Sequence, residues 1–140
     1  MGSGESPWPY LVSHVPRGVL AQCLTVDLLA RIDLARQLRR DQLRQSRDNL
    51  IDALAAELPE WIPSIPAGGA SLWIKLPRPG AIAFAQRAER GGVLVLPGPT
   101  FSSVDGLDDF IRISFAGDPG LVPLAVTILA ETWRQFSAED

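Results

Sequence analysis

The 140-residue sequence contains one cysteine (Cys23), one histidine (His14) and one lysine (Lys75). A single thiol excludes an internal disulfide framework and fits a reducing compartment. With no second histidine or cysteine, the sequence argues against a zinc-type centre, which draws on several such ligands. A Cys–His catalytic pair is left open by sequence distance, although the apolar helical setting of Cys23 points to packing. Lys75 is the one amine available for covalent chemistry with a carbonyl cofactor, and it sits in "LWIKL", where strand alternation sends it to the polar face. The sequence also lacks an apolar run of about 18 residues, so no transmembrane helix is expected. The opening "MGSGESPWPY" has neither a basic start nor an apolar stretch. It therefore reads as a linker or expression remnant rather than a secretory signal. A net charge of −3 gives no general attraction to nucleic acid or anionic membrane. The expected location is the cytoplasm.

What is present is ordinary globular material, 46% hydrophobic and 21% charged, in a length suited to one modest core. Residues 1–20 mix Pro7, Pro9, Pro16 and Gly18 with Trp8, Tyr10, Leu11 and Val12, and read as an extended arm that packs on something. Residues 21–140 read as the folded domain. From about Leu20 to Leu58 there is no glycine or proline, which predicts a long helix. Leu24, Leu28 and Ile32 mark one apolar face of it, and Leu50, Ala53 and Leu54 mark another further on. Its middle offers only Leu38 and Leu43 for burial, as in a connector that bends or is solvated. Pro59 ends it, and "PEWIPSIPAGG" reads as irregular chain.

Strands are predicted at 70–76 ("ASLWIKL"), 93–98 ("VLVLPG") and around 110–116 ("FIRISFA"). A short helix is predicted over 81–92, with Ile82, Ala85 and Ala88 on one face and Gly91 or Gly92 as its cap. Asp118 is predicted to cap a final helix begun by Pro119, with Leu121, Leu124, Ala125, Ile128, Leu129 and Trp133 on its buried face. The expected fold class is α+β, with the order α-β-α-β-β-α. Its three-stranded, mainly antiparallel sheet is covered on one face by helices.

Most candidate chemistry in this sequence has a cheaper structural explanation. The stretches "AGGAS", "RGGVLVLPG" and "AGDPG" fit neither phosphate-loop pattern and read as turns or caps. Arg31, Arg36, Arg39, Arg40, Arg44 and Arg47 are interrupted by Asp33, Asp41 and Asp48, as on a solvated, salt-bridged helix. Ser71, Ser102, Ser103 and Ser114 lack a nucleophile-elbow context. Asp105, Asp108 and Asp109 read as turn or cap residues before they read as cation ligands. In "DDFIRISFAGDP" the alternation sets Ile111, Ile113 and Phe115 on one face. Arg112 stands on the other, beside Phe110, Ser114 and Ala116. Alternation alone leaves Arg112 as either a solvated strand charge or a partner for an anion.

Three motifs in order, "PAGGASLWIKLP", "AERGGVLVLPGPTFS" and "DDFIRISFA", resemble the C-terminal small domain of fold-type-I pyridoxal-phosphate (PLP) aminotransferases. They are most similar to the aminotransferase-like domain of GntR-family, MocR-type transcriptional regulators. The upstream "LRRDQLRQSRDNLIDAL" is similar to the basic helix of those proteins, so the resemblance covers roughly residues 25–135. It implies the small-domain fold. It also implies that Arg112 grips the α-carboxylate of an amino-acid-like substrate or effector, a task suited to a planar, bidentate guanidinium. Pro97, Gly98, Pro99 and Phe101 match the loop that borders the cofactor pocket, and Gly68–Gly69 matches the turn before the first small-domain strand. The family's cofactor-binding lysine, aspartate, stacking aromatic and phosphate-binding groups have no counterpart here, nor does the regulators' winged helix.

The resemblance thus implies a chain with no catalytic residue of its own and no metal, in a parent that uses PLP and meets DNA only through another domain. Self-association through surface left bare is also expected. The alternatives are the small domain of a genuine amino-acid aminotransferase and a free-standing α+β interaction module.

Overall fold

A computed structural model describes residues 18–104 and 106–138; the expected arm at 1–17, with His14, lies outside the described residues. The chain divides into two compact units, 1–38 and 39–140. In the first unit, α1 (Val19–Ala30) and the start of α2 (Ile32–Glu57) replace the single predicted helix, with the break at Arg31. Apolar residues ring α1 on all sides, and Leu24, Val26, Leu28 and Leu29 are exposed. Cys23 is exposed as well, against the packing role expected for it.

In the second unit, the remainder of α2 places Leu50 and Leu54 at helical spacing and buries them with Leu58. Arg44 pairs with Asp41 at 3.4 Å and Arg47 with Asp48 at 2.7 Å. Arg47 also donates to the Pro66 carbonyl at 3.4 Å, and Arg39 to the Ala116 carbonyl at 3.3 Å.

The sheet has four strands rather than the three expected: β1 (Ile62–Ser64), β2 (Ser71–Lys75), β3 (Leu96–Pro97) and β4 (Phe110–Ser114). Their order is β1-β2-β4-β3, antiparallel throughout. β1 lies in the segment whose prolines predicted irregular chain. Both β1 and β3 are edge strands, where a residue without an N–H can be accommodated, and they carry Pro63 and Pro97. The Gly68–Gly69 turn, with Gly69 at φ +97°, therefore precedes the second strand and not the first. The predicted strand at 93–98 shrinks to two residues.

Leu72, Ile74, Ile111 and Ile113 point from β2 and β4 into one core shared with the helices. α3 (Ala81–Arg90) contributes Ala81, Phe84, Ala85 and Ala88, while Ile82 turns outward, contrary to the predicted face. Asp118 accepts from the Gly120 N–H at 2.9 Å and caps a short 3-10 turn at Pro119–Leu121, from which α4 (Val122–Ala138) continues. The buried face of α4 is Val126, Leu129, Ala130, Trp133 and Phe136; Leu121 and Leu124 are exposed. Nearly every turn of α4 is apolar, so packing rather than pattern chooses its face. At the centre of the core, the Phe84 ring lies edge-on to Trp61 and Trp133, with centroids 5.5 Å apart in each case, and to Phe136 at 5.9 Å.

Candidate functional site: an arginine among aromatics on the open sheet face

The register carries the outward residues of β2 and β4 onto the face away from this core. Trp73 stands opposite Arg112, Lys75 opposite Phe110, and Ser71 opposite Ser114. β3 sets Leu96 beside Arg112 on the other side, and β1 sets Ser64 beside Trp73. One row across the sheet thus runs Ser64, Trp73, Arg112, Leu96. The half-buried arginine is flanked by an indole and a leucine.

Beyond β3 the chain folds into a 3-10 turn at Gly98–Phe101, with Pro99 near its start and the Ser102 N–H donating to the Pro99 carbonyl at 3.2 Å. This turn brings Phe101 over Arg112, whose Cζ lies 4.5 Å from the ring centroid. The Phe101 ring meets Trp73 edge-on at 5.3 Å, and Trp73 meets Phe110 at 6.3 Å. Gly98 permits the close seating of the turn. A Cβ there would collide with the Leu107 carbonyl and come within 2.9 Å of both Leu107 Cβ and the Phe110 carbonyl. Pro97 pairs with Ile111 on the sheet edge, and Pro99 lines a shallow surface cleft with Ser102, Val104 and Asp108. The matched loop and Arg112 are therefore brought together.

Arg112 makes no hydrogen bond or ion pair among the described residues. A half-buried guanidinium without a carboxylate partner attracts an anion. Its planar fork suits a carboxylate bidentately, while it has no lone pair with which to act as a base. The arrangement can bind and orient an acid; it offers nothing to move a proton.

The other candidates fall elsewhere. Lys75 Nζ lies 3.6 Å from Asp109 Oδ2 and 5.9 Å from the Phe110 ring centroid, an ion-paired surface amine. That setting does not fit the enclosed, unpaired amine that condensation with PLP needs. Asp108 accepts the Gly80 N–H through Oδ2 at 3.0 Å, a capping role at the start of α3. No group of three histidine, cysteine, aspartate or glutamate side chains able to hold a metal occurs among the described residues. No helix among them is long and apolar enough to cross a membrane. The residue missed by sequence reasoning is Trp73. The alternation of Leu72 and Ile74 already placed it on the face of Arg112, and a tryptophan on a face away from the core is a signal in itself.

Among solved structures, the chain is similar to LysN, the α-aminoadipate aminotransferase of Thermus thermophilus, which was solved with N-(5'-phosphopyridoxyl)-L-leucine. The TM-score is 0.75 and the identity 27%, over 86% of this chain and 32% of that one. It is also similar to an archaeal alanine:glyoxylate aminotransferase, at TM-score 0.61 and 28% identity over 70% of this chain and 24% of that one. For the kynurenine aminotransferase of Pyrococcus horikoshii the values are 0.61 and 27%, over 69% and 24%. The chain spans about a third or less of the length of these structures. No curated protein matches it. The family model "Aminotransferase class I and II" matches residues 3–129, nearly the whole chain. The chain belongs to the class I and II aminotransferase family.

Proposed function

We propose that this chain is the C-terminal, carboxylate-binding subdomain of a longer PLP-dependent, aminotransferase-like protein, and that Arg112 grips the α-carboxylate of an amino-acid ligand there. The observation that carries this reading is the Arg112 guanidinium, without a hydrogen-bond or ion-pair partner among the described residues and seated among Trp73, Phe101 and Leu96 on the open sheet face. Among the described residues, the chain offers the binding half of such a site and no group at Arg112 to carry the chemistry. PLP would be held by residues outside it, since the setting of Lys75 does not fit that role. When bound in the parent, the cofactor supplies the electron sink for reactions at an amino acid's α-carbon.

The finer reading is that the parent is a cytoplasmic transcriptional regulator of the GntR/MocR type, meeting DNA through a separate winged-helix domain. It rests on the similarity of the three ordered motifs. The competing reading, an amino-acid aminotransferase, is supported by the enzymes among the structural neighbours. The sequence of the parent gene separates the two: a winged helix encoded upstream supports the regulator, and its absence supports the enzyme. We also propose that the exposed apolar residues of α1 drive self-association of the isolated chain. The carboxylate reading is tested by Arg112→Ala in the longer protein, titrated with its amino-acid ligand.

A further inference from the structure

We propose that Phe101 is a positioning residue, whose ring holds the Arg112 guanidinium ready to receive a carboxylate. The inference rests on the carboxylate-binding reading of Arg112 given above. An arginine side chain has many rotamers, and a ligand that must first order it binds more weakly. Several other arginines of this domain meet oxygen acceptors. Arg39 and Arg47 donate to backbone carbonyls, Arg44 to Asp41, and Arg78, which also lies over the Phe136 ring at 4.3 Å, to the Phe136 carbonyl. Arg112 has no such acceptor among the described residues, and the feature that fixes it is the Phe101 ring 4.5 Å from Cζ.

The difference matters for binding. An acceptor occupies N–H donors and competes with an incoming carboxylate. A ring attracts the cation through its quadrupole and leaves all five N–H groups free. Phe101 is itself held, edge-on against Trp73 and at the end of a turn seated by Gly98. At 42% exposure it lies outside the core, and its ring contacts are with Arg112 and Trp73 on the open sheet face.

The test is made on the 140-residue chain by following the Arg112 Nε–Hε group in NMR spectra of the wild type, Phe101→Tyr and Phe101→Leu. The wild type and Phe101→Tyr should show a ring-shifted, ordered Nε–Hε group. Phe101→Leu, of similar bulk but without a π face, should show an unshifted, mobile one with β2 and β4 amide signals unchanged. In titration with acetate at constant ionic strength, the Arg112 response should weaken about fivefold in Phe101→Leu and be retained in Phe101→Tyr. A mobile, unshifted Nε–Hε in the wild type, or equal acetate responses in all three chains, would overturn the positioning role. An ordered, ring-shifted Arg112 that ignores acetate in the wild type would instead count against the carboxylate-binding reading itself.

Discussion

Gly98→Ala puts the geometry of the site to a test that needs no ligand. Gly98 has an ordinary backbone conformation, so the penalty of a methyl group is one of space. The new Cβ would strike the Leu107 carbonyl and approach the Phe110 carbonyl and Leu107 Cβ to 2.9 Å. Two of these three atoms are backbone, which cannot rotate aside. Overpacking of this kind costs about 1–3 kcal/mol, and rigid neighbours place it toward the upper end. With a urea dependence of about 1–3 kcal/mol per molar, the unfolding midpoint should fall by roughly 1 M. The turn can relieve the clash only by lifting off β4, which takes Phe101 away from Arg112. Urea denaturation and the Arg112 Nε–Hε resonance therefore report together. Gly117→Ala, where an added Cβ meets nothing within 4 Å, is the control and should change neither. A Gly98→Ala chain within about 0.5 kcal/mol of the wild type, with its Arg112 resonance unmoved, would refute the close packing argued for this turn.

Phe84→Ala removes the ring around which Trp61, Trp133 and Phe136 are arranged, and should cost about 3–5 kcal/mol in urea unfolding. Lys75→Ala loses only a half-exposed ion pair and should cost under about 1 kcal/mol. Absorption spectra of the wild type and of Lys75→Ala, each mixed with PLP, should show no band that survives gel filtration and depends on Lys75. Light scattering at rising concentration should give a mass above the 15.2 kDa monomer; a clean monomer would contradict self-association through α1.

The parts of the fold that were legible in the sequence are those where one physical rule acts alone. Alternation in residues 110–116 separated Ile111 and Ile113 from Arg112, and the structure buries the first two and leaves the third at the open face. β1 was hidden because its prolines argue against a strand, and only its position at the sheet edge makes them acceptable. The faces of α3 and α4 were legible in part: Ala85 and Ala88, and Leu129 and Trp133, are buried as expected, but both helices offer more apolar residues than they bury. Ile82 lost its place to Phe84, which fills the aromatic centre of the core. The meeting of Phe101 with Arg112 could not be read from spacing, since it depends on a 3-10 turn whose seating requires the missing side chain of Gly98.

The central claim is that Arg112 binds a carboxylate, and the direct measurement is ligand affinity in the longer protein carrying Arg112→Ala, with Arg112→Lys beside it. A charge-assisted bidentate pair is worth about 1.5–3 kcal/mol, so the alanine variant should bind its amino-acid ligand roughly 10- to 150-fold more weakly. The lysine variant, which keeps the charge and loses the fork, should recover only part of that loss. Affinity unchanged in Arg112→Ala, with the fold intact, would make Arg112 a solvated strand charge and contradict the account.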